Sequence, residues 1–433
     1  MRILIINRSD LRGGAAVASM RLLEAMRAQG EDARMLTAEK LSDSPFVELW
    51  QPTRRVKTAF LADRLGIFFN NGLSRRNLFA VDSASVGLPL HRHPLVREAD
   101  AILLGWTNQG MLSLRETERI AALGKPVIQT MHDMWCATGI CHHAATCRRF
   151  ETRCESCPLL GACAPRRGKA DLSTRTQRRK AALYSQGRIR FVAVSEWLRR
   201  KCAASSLLRG LPVEVIPNPL PVGKLCALPL RKADLASGAP IEAVMAAARL
   251  DETVKGLDIL AGALRILADK EPALASRLHI TFCGSLRDPD ALRDIPVSHT
   301  HTGTVSADDL AGILSRSHLL LSPSRYESWG YTLAEGQACG ALPVAFRSGG
   351  QEDIISPSDA FSGSLAAFDG PDDKLYHSYA SALSEGLKTL LRAIPEKLHT
   401  HLRESAGRFS GEKVACAYLN LIGRMRSATD TNR

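Results

Sequence analysis

The chain has 433 residues, of which 45% are hydrophobic and 23% charged, and its formal net charge is +13. This length exceeds what one hydrophobic core usually supports, so two or three globular domains of ordinary composition are expected. No uninterrupted apolar run reaches the roughly 18 residues that a membrane-spanning helix requires. The opening MRILIINRSD fits a buried strand better than a signal peptide. Together these features predict a cytoplasmic protein without a membrane-spanning segment.

Short apolar runs alternate with helix-length amphipathic segments through the first half of the chain. We predict strands at 3–6, 101–104, 127–130, 191–194 and 213–216, and helices at 15–29 and 112–123. This alternation is typical of βαβ units, in which a parallel sheet carries helices on both faces. Gly13 and Gly14 lie between the first strand and the first helix, in a loop type that admits a phosphate or a sugar.

Six of the eleven cysteines fall within residues 136–163 and form a Cys-rich loop of the first half. Cys141, Cys147, Cys154 and Cys157 have the residue types of a tetrahedral structural zinc site, although the first pair is spaced too widely for a standard knuckle. Three interpretations stay open for these four residues: a structural zinc, paired thiols, or inert cysteines. His142 and His143 are alternative ligands, and Cys136 and Cys163 stay unassigned.

The segment 148–190 carries twelve Lys and Arg residues against three acidic residues. Such an excess fits a solvated helix face, peripheral contact with an anionic membrane, or binding of nucleic acid. A site for nucleic acid would interleave aromatic residues with the charges, and the segment with its flank offers Phe150, Tyr184 and Phe191 alone. We therefore expect no nucleic-acid partner.

Three prolines within residues 217–221 interrupt the alternation, which then restarts. Further strands are predicted at 244–248, 279–283, 319–322 and 342–346, with helices at 257–267, 307–315 and 333–339. The expected fold is α/β, with two Rossmann-like, doubly wound parallel-sheet domains facing a cleft. The predicted boundaries are an N-terminal domain at 1–216, a linker at 217–224, a C-terminal domain at 225–405, and a helix at 406–433 that packs back on the N-terminal domain.

Two loops of the second half carry residues suited to a nucleoside diphosphate. Arg249 and Lys255 lie six residues apart between a strand and a helix, where two cations can hold a diphosphate and neutralise its charge. The second loop leads through Gly330 into a helix whose first N–H groups can bind phosphate, so Gly330, Tyr331, Thr332 and Leu333 are the expected cradle.

Glu327 and Glu335 flank the start of that helix, and their carboxylates suit paired hydroxyl groups of a sugar or a ribose. Taken in this order with Arg249, Lys255, Gly330, the segment Ala338–Val344 and the pair Gly349-Gly350, they resemble the C-terminal half of the retaining family-four glycosyltransferases, which have the GT-B fold. The resemblance implies that Arg249 and Lys255 bind the donor diphosphate, that Glu327 contacts the donor sugar, and that Glu335 holds the ribose.

The same resemblance implies the reaction. It implies a UDP- or GDP-sugar donor and front-face transfer that retains the anomeric configuration. No catalytic metal is expected, because cations and the helix start replace it. In the first half, the stretches 70–79, 93–100, 106–113 and 130–135, together with the Cys-rich loop, resemble the exopolysaccharide transferases of the colanic-acid type. That likeness implies a glycan or lipid-linked oligosaccharide acceptor in bacterial cell-surface polysaccharide biosynthesis.

The likeness also assigns residues in the first half. It places His132 beside the donor sugar, and Asp133 either orients His132 or contacts the acceptor. Many relatives have His-Trp where this chain has Gly105-Trp106. That departure keeps open an inactive, donor-binding homologue. A basic, zinc-containing nucleic-acid-binding protein would leave Glu327 and Glu335 without a role, and a nicotinamide enzyme would need a Gly-x-Gly-x-x-Gly spacing that this glycine pair lacks.

Overall fold

The computed structural model describes residues 1–161, 170–230 and 234–430. Two compact units divide the chain: an N-terminal unit of Met1–Pro219 together with the chain from Gly411 onward, and a C-terminal unit of Leu220–Ser410. No helix among the described residues is long and apolar enough to cross a membrane.

The N-terminal unit is built on a parallel sheet of seven strands in the order β3-β2-β1-β4-β5-β6-β7. The strands are β1 (Arg2–Ser9), β2 (Asp32–Glu39), β3 (Val47–Leu49), β4 (Ala101–Leu104), β5 (Val127–Met131), β6 (Ile189–Ala193) and β7 (Val213–Val215). The helices are α1 (Gly14–Ala28), α2 (Thr53–Asn70), α3 (Pro94–Glu98), α4 (Leu114–Ala121), α5 (Leu172–Tyr184), α6 (Glu196–Ala204) and, from the end of the chain, α14 (Gly411–Asp430).

The order of strands reverses direction between β1 and β4, which pair with each other in parallel register from Ile3 opposite Ala101. The apolar runs at 3–6 in β1 and 101–104 in β4 are buried on both faces, as the centre of a doubly wound sheet requires. The loops that follow them hold Gly13-Gly14 and Gly105-Trp106. In this fold class, ligands bind at the carboxyl ends of the strands beside such a reversal.

The C-terminal unit repeats this architecture with six parallel strands in the order β10-β9-β8-β11-β12-β13. The strands are β8 (Ile241–Arg249), β9 (Leu278–Ser285), β10 (Ser298–Gly303), β11 (Leu319–Ser322), β12 (Leu342–Phe346) and β13 (Ser364–Ala366). The helices are α7 (Val222–Cys226), α8 (Leu257–Lys270), α9 (Pro272–Ala275), α10 (Ala307–Arg316), α11 (Tyr331–Ala338), α12 (Asp372–Arg392) and α13 (Pro395–Gly407). The reversal lies between β8 and β11. Arg249 ends β8, and the loops after these two strands hold Lys255, Glu327 and Gly330.

The last helix, α14, belongs to the core of the N-terminal unit. It packs along α1, and its buried side chains Val414, Tyr418, Leu421 and Ile422 join one apolar cluster with residues of α1 and β1. The hydroxyl of Tyr418 is 2.9 Å from that of Thr130 at the end of β5. The chain therefore completes its first sheet domain with its own C-terminal segment.

The expected architecture of two parallel-sheet α/β domains is confirmed, and the structure adds strands that the sequence did not indicate. β10 (Ser298–Gly303) reads SHTHTG and has no large apolar side chain. It lies at the edge of its sheet and pairs with β9 alone. An edge strand with exposed side chains needs no apolar pattern, which is why hydrophobic periodicity did not reveal it.

Candidate functional site

The two loops at the strand reversal of the C-terminal unit are joined by an ion pair. Lys255 Nζ donates to Glu327 Oε1 over 2.7 Å, and the side chains are 28% and 24% exposed. Burial lowers the pKa of Lys255, but the adjacent Glu327 carboxylate and its hydrogen bond outweigh burial and raise that pKa above its usual value. Lys255 is thus a fixed positive charge with an accessible side chain.

Arg325 anchors these loops to each other. Its backbone N–H donates to Val254 O over 2.9 Å, and its guanidinium donates to Thr253 O over 2.8 Å. The same guanidinium forms a two-pronged pair with Asp258 at 2.8 and 2.6 Å and reaches Asp372 at 3.2 Å. These hydrogen bonds raise the pKa of Arg325. The sequence reasoning missed this residue, because its partners lie 47 to 72 positions away.

Gly349 and Gly350 support the loop that carries Glu327. Gly350 N donates to Glu327 O over 2.9 Å. A Cβ atom added at Gly349 would lie 2.0 Å from that same oxygen, and one at Gly350 would lie 2.5 Å from Ser328 O. Glycine is therefore required at both positions by close backbone packing.

The helix α11 starts at the end of this loop without a side-chain cap, and Gly330 precedes it at φ +105°, a conformation that favours glycine. Trp329 is buried and packs edge-on against Tyr331, with ring centroids 4.8 Å apart. Leu333 N–H donates to Gly330 O over 3.1 Å. Gly330, Tyr331 and Thr332 thus lie at the start of this helix, whereas the Leu333 N–H already has a partner within the turn.

Arg249 and Glu335 complete the predicted donor residues. Arg249 ends β8, and its guanidinium lies 3.1 Å from Glu252 Oε1. Its Nε atom also lies 3.3 Å from Asp251 Oδ1. This distance allows an ion pair, but the two groups are not aligned for a hydrogen bond. Glu252 also acts on the pKa of Lys255, so this carboxylate stands near both predicted cations. Glu335 lies in the second turn of α11 and is partly exposed.

In the N-terminal unit, His132 follows β5 and lines a cavity of about 10 Å³. The same cavity is lined by Ser19, Gly105, Thr130 and Asn218. Burial lowers the pKa of His132 to about 4, although the neighbouring Asp133 opposes this effect. The imidazole is therefore neutral near physiological pH, a form that can donate one hydrogen bond and accept another.

Asp133 holds a different histidine from the one that the sequence suggested. Asp133 Oδ2 is 2.8 Å from His142 Nδ1 and accepts from Trp106 Nε1 over 2.9 Å, while Oδ1 accepts from Trp135 N over 2.7 Å. His142 is 8% exposed, and its Nε2 atom has no hydrogen-bond partner among the described residues. Burial opposes the charged form of His142, but the Asp133 carboxylate raises its pKa.

The departure at Gly105 has a steric explanation. A Cβ atom there would lie 2.5 Å from Asn7 Oδ1 and 3.0 Å from Ser19 Oγ. Asn7 Oδ1 accepts from Trp106 N over 2.6 Å. The side chain of Asn7 thus fills the space that a residue larger than glycine would need. Gly13, the other predicted glycine of this unit, precedes α1 at φ +90°, and Gly14 is its first residue.

The four cysteines proposed for zinc line one cavity of about 20 Å³, which Ile140 and Phe150 also line. They are Cys141, Cys147, Cys154 and Cys157, and all four are free thiols. Burial raises the pKa of Cys141 to about 12, so its thiol is protonated in the metal-free chain. Among the described residues, no three or more His, Cys, Asp or Glu side chains stand close enough to hold a metal ion. Cys163 and the end of the Cys-rich loop lie outside the described residues.

The basic segment 148–190 is largely engaged within the N-terminal unit. Arg148 pairs with Glu151, and Arg153 pairs with Glu155. Lys180 is fully buried and donates to Thr138 O over 3.1 Å and to Trp135 O at 2.5 Å. Residues 162–169, with three of the twelve cations, lie outside the described part of the chain.

Comparison with known proteins identifies the region that holds the two loops at the strand reversal of the C-terminal unit. Residues 238–398 match the family described as Glycosyl transferases group 1. This segment is a group 1 glycosyltransferase domain. The group 1 domain contains Arg249, Lys255, Glu327, the start of α11 and Glu335, so the residues predicted for the donor fall inside it.

One curated relative is the D-inositol 3-phosphate glycosyltransferase of Saccharomonospora viridis. It is 30% identical over 206 residues, which are 45% of this chain and 46% of that protein. The chain thus spans about half the length of the curated relatives it matches.

Solved structures match over nearly the full chain. The structure of HepE of Anabaena in complex with UDP matches with a TM-score of 0.57 at 14% identity, and the match covers 98% of this chain and 100% of the HepE chain. WaaG, a glycosyltransferase involved in lipopolysaccharide biosynthesis, has a TM-score of 0.53 at 15% identity, with 97% and 99% covered. At these identities the likeness shows the fold, and the GT-B expectation is confirmed.

Proposed function

We propose that this protein transfers a sugar from a nucleotide-diphosphate sugar to a glycan or a lipid-linked oligosaccharide. The observation that carries the proposal is the Lys255–Glu327 pair, which lies where the strand order reverses in the group 1 domain. A cation, a carboxylate and an uncapped helix start meet there, and these are the groups that a diphosphate joined to a sugar requires.

In the proposed mechanism, Lys255, Arg249 and the start of α11 bind the diphosphate. Lys255 then exchanges its contact with Glu327 for a phosphate oxygen, which frees the Glu327 carboxylate to accept hydrogen bonds from sugar hydroxyls. The bond between the anomeric carbon and the phosphate oxygen breaks, and the acceptor oxygen bonds to that carbon on the same face. The leaving phosphate takes the acceptor proton, and the cations stabilise its charge without a metal ion. Configuration is therefore retained.

We assign substrate contacts in the N-terminal unit to His132 and to the loop at Gly13-Gly14. A neutral His132 can donate to or accept from a sugar hydroxyl. Asp133 was expected to orient His132 or to contact the acceptor, and its carboxylate contacts His142 and Trp106; we propose that it orients these two side chains. We propose that Glu335 holds the ribose of the donor.

The proposed role is cytoplasmic synthesis of a bacterial cell-surface or exopolysaccharide. Supporting observations are the colanic-acid-type stretches of the first half and the likeness to WaaG, which acts in lipopolysaccharide biosynthesis. UDP is the favoured nucleotide because HepE was solved with it. The name of the Saccharomonospora relative makes a phosphorylated inositol the second acceptor class to test.

Calorimetric titration of the full chain with UDP, GDP, ADP and TDP, with and without a chelator, tests the donor site. We expect one nucleotide to bind with micromolar affinity, indifferently to the chelator, and Lys255→Ala to lose that binding. Lys397→Ala is the matched control, because Lys397 is an exposed lysine on α13. If none of the nucleotides binds, the proposed donor site is wrong; if binding persists without turnover on any acceptor, the chain is an inactive homologue.

For the cysteine cavity we propose a structural zinc or paired thiols, since the four cysteines line one small space. Metal analysis of the purified chain, combined with thiol titration after denaturation, separates the two. One zinc per chain supports the metal, and a loss of two titratable thiols without zinc supports a disulfide. A zinc-free chain with every thiol titratable shows inert cysteines.

A further inference from the structure

The helix α2 and the loop after it carry an unusual concentration of exposed apolar side chains. Fifteen large hydrophobic residues are exposed in the described chain, and five of them fall within residues 61–79. The five are Leu61 (57% exposed), Leu65 (42%), Phe69 (64%), Leu73 (61%) and Phe79 (62%). Contiguous exposed apolar surface of this kind marks an interaction site rather than ordinary surface.

Leu61, Leu65 and Phe69 form a single stripe, because residues four apart lie on the same side of an α-helix. The opposite side of α2 buries Val56 and Ile67 against the rest of the N-terminal unit. The helix is thus fixed to its unit by one side, and it presents the stripe on the other.

The remaining two residues extend this stripe. Leu73 N donates to Phe68 O over 3.0 Å, which folds the chain back on the end of α2. Phe79 stacks on Phe60 with ring centroids 6.5 Å apart. Leu73 and Phe79 are thus held against α2 by these contacts, and we call the five exposed apolar side chains on α2 and its loop the α2 face.

Basic residues border the α2 face at both ends. Arg54, Arg55 and Lys57 lie in the first turns of α2, Arg75 and Arg76 lie in the loop after it, and all five are exposed. Asp63 is the one acidic residue between positions 50 and 81, and it is fully buried. The surface therefore combines apolar side chains with uncompensated positive charge.

We propose that the α2 face docks on an anionic lipid bilayer, with its apolar side chains in the boundary between headgroups and acyl chains and its cations on lipid phosphates. Apolar residues flanked by Lys and Arg, without acids, match that environment. A second copy of the same face would place five cations against five others, which repel each other. A nucleic-acid partner would explain the cations but not the exposed apolar side chains. The segment 148–190, first considered for this role, exposes no large hydrophobic residue among its described positions.

Vesicle flotation of the full chain tests the proposal, comparing phosphatidylcholine vesicles with and without phosphatidylglycerol. We expect flotation with the anionic vesicles, weakening with added salt because the charge contribution is screened. The double variant Leu65→Ser, Phe69→Ser should lower the bound fraction at least tenfold at equal lipid. Arg54→Gln, Arg55→Gln should weaken the preference for anionic lipid, because it removes two of the five cations. The matched control is Leu391→Ser, Ile394→Ser, at exposed apolar positions of the C-terminal unit (39% and 53%), which should change nothing.

Nucleotide binding and thermal unfolding of each variant, measured in parallel, separate this proposal from the proposed function. The altered residues on the α2 face are exposed, so the nucleotide affinity and the unfolding temperature of each variant should match those of the parent chain. Absence of flotation at low salt overturns the proposal, and so does equal loss in the control variant. A dimer in light scattering that dissociates in Leu65→Ser, Phe69→Ser would show that a second copy, not lipid, covers the face.

Discussion

Lys255 Nζ and Glu327 Oε1 lie 2.7 Å apart, so each side chain is held by the other until a ligand competes. Replacing Lys255 or Glu335 by Ala removes a charge-assisted contact worth about 1.5–3 kcal/mol, which corresponds to roughly 10- to 150-fold weaker donor binding. Glu327→Ala should act differently. It frees Lys255 for the diphosphate, so donor affinity should persist while turnover falls.

Calorimetry with the preferred nucleotide, paired with a turnover assay, separates these effects. Unchanged donor affinity in Lys255→Ala and Glu335→Ala would contradict the site assignment. A parallel loss of affinity in Glu327→Ala would contradict the competition between Glu327 and the diphosphate for Lys255.

Gly105 offers a second prediction for a single residue. Because a Cβ atom there would overlap Asn7 Oδ1 at 2.5 Å, Gly105→Ala should destabilise the N-terminal unit by about 1–3 kcal/mol through overpacking. Gly423→Ala, in α14 with open space around it, is the control and should stabilise by about 0.5–1 kcal/mol. Urea unfolding measures both. Equal free energies of unfolding for the parent chain and Gly105→Ala would show that the Asn7 side chain moves aside without loss of stability.

On the scale of an element, the loop after β5 contains the Asp133–His142 pair. Burial lowers the pKa of His142, but Asp133 and, more weakly, Asp82 outweigh burial and the opposing Lys180, and they raise that pKa above its usual 6.5. A raised pKa contributes stability that is complete below the unfolded value and is lost as pH rises through the folded value. Asp133 has a lowered pKa, so its contribution is lost only in strong acid.

The contribution of His142 to the free energy of unfolding should therefore decrease as pH rises from slightly acidic to alkaline values, and His142→Asn should lack this contribution. Urea unfolding of the two proteins across that range provides the comparison. Parallel pH profiles would mean that His142 is not the titrating group.

How far the sequence predicts an element depends on where the element lies. Strands at 3–6, 101–104 and 319–322 were recognisable because central strands of a parallel sheet are apolar on both faces. The polar edge strand β10 was not recognisable, because its sequence SHTHTG has no apolar run. The positions of Arg249, Lys255 and Glu327 near strand ends were predictable from the strand pattern, while their donor-binding roles stay predictions. In contrast, the pairing of Asp133 with His142 and of Arg325 with Asp258 depends on side-chain directions that spacing does not encode.

On the scale of the whole molecule, the path of the chain makes the stability of the N-terminal unit depend on the end of the chain. It leaves the N-terminal unit after Pro219, builds the C-terminal unit, and returns at Gly411. Because α14 supplies Val414, Tyr418, Leu421 and Ile422 to the N-terminal core, the stability of the first sheet depends on the last helix. A truncation after Ser410 should consequently unfold the N-terminal unit, although it removes no residue of that sheet.

Differential scanning calorimetry of the full chain tests this division. Leu421 is 1% exposed, so Leu421→Ala should cost about 2–5 kcal/mol and lower one transition by roughly 4–20 °C. The nucleotide, at about 100 times its Kd, should stabilise the C-terminal unit by about 2.7 kcal/mol and raise the other transition. Asn420→Ala, at the adjacent exposed position on α14, should shift neither. If Leu421→Ala and the nucleotide both move the same transition, the two units unfold as one body and the assignment of α14 to a separately melting unit is wrong.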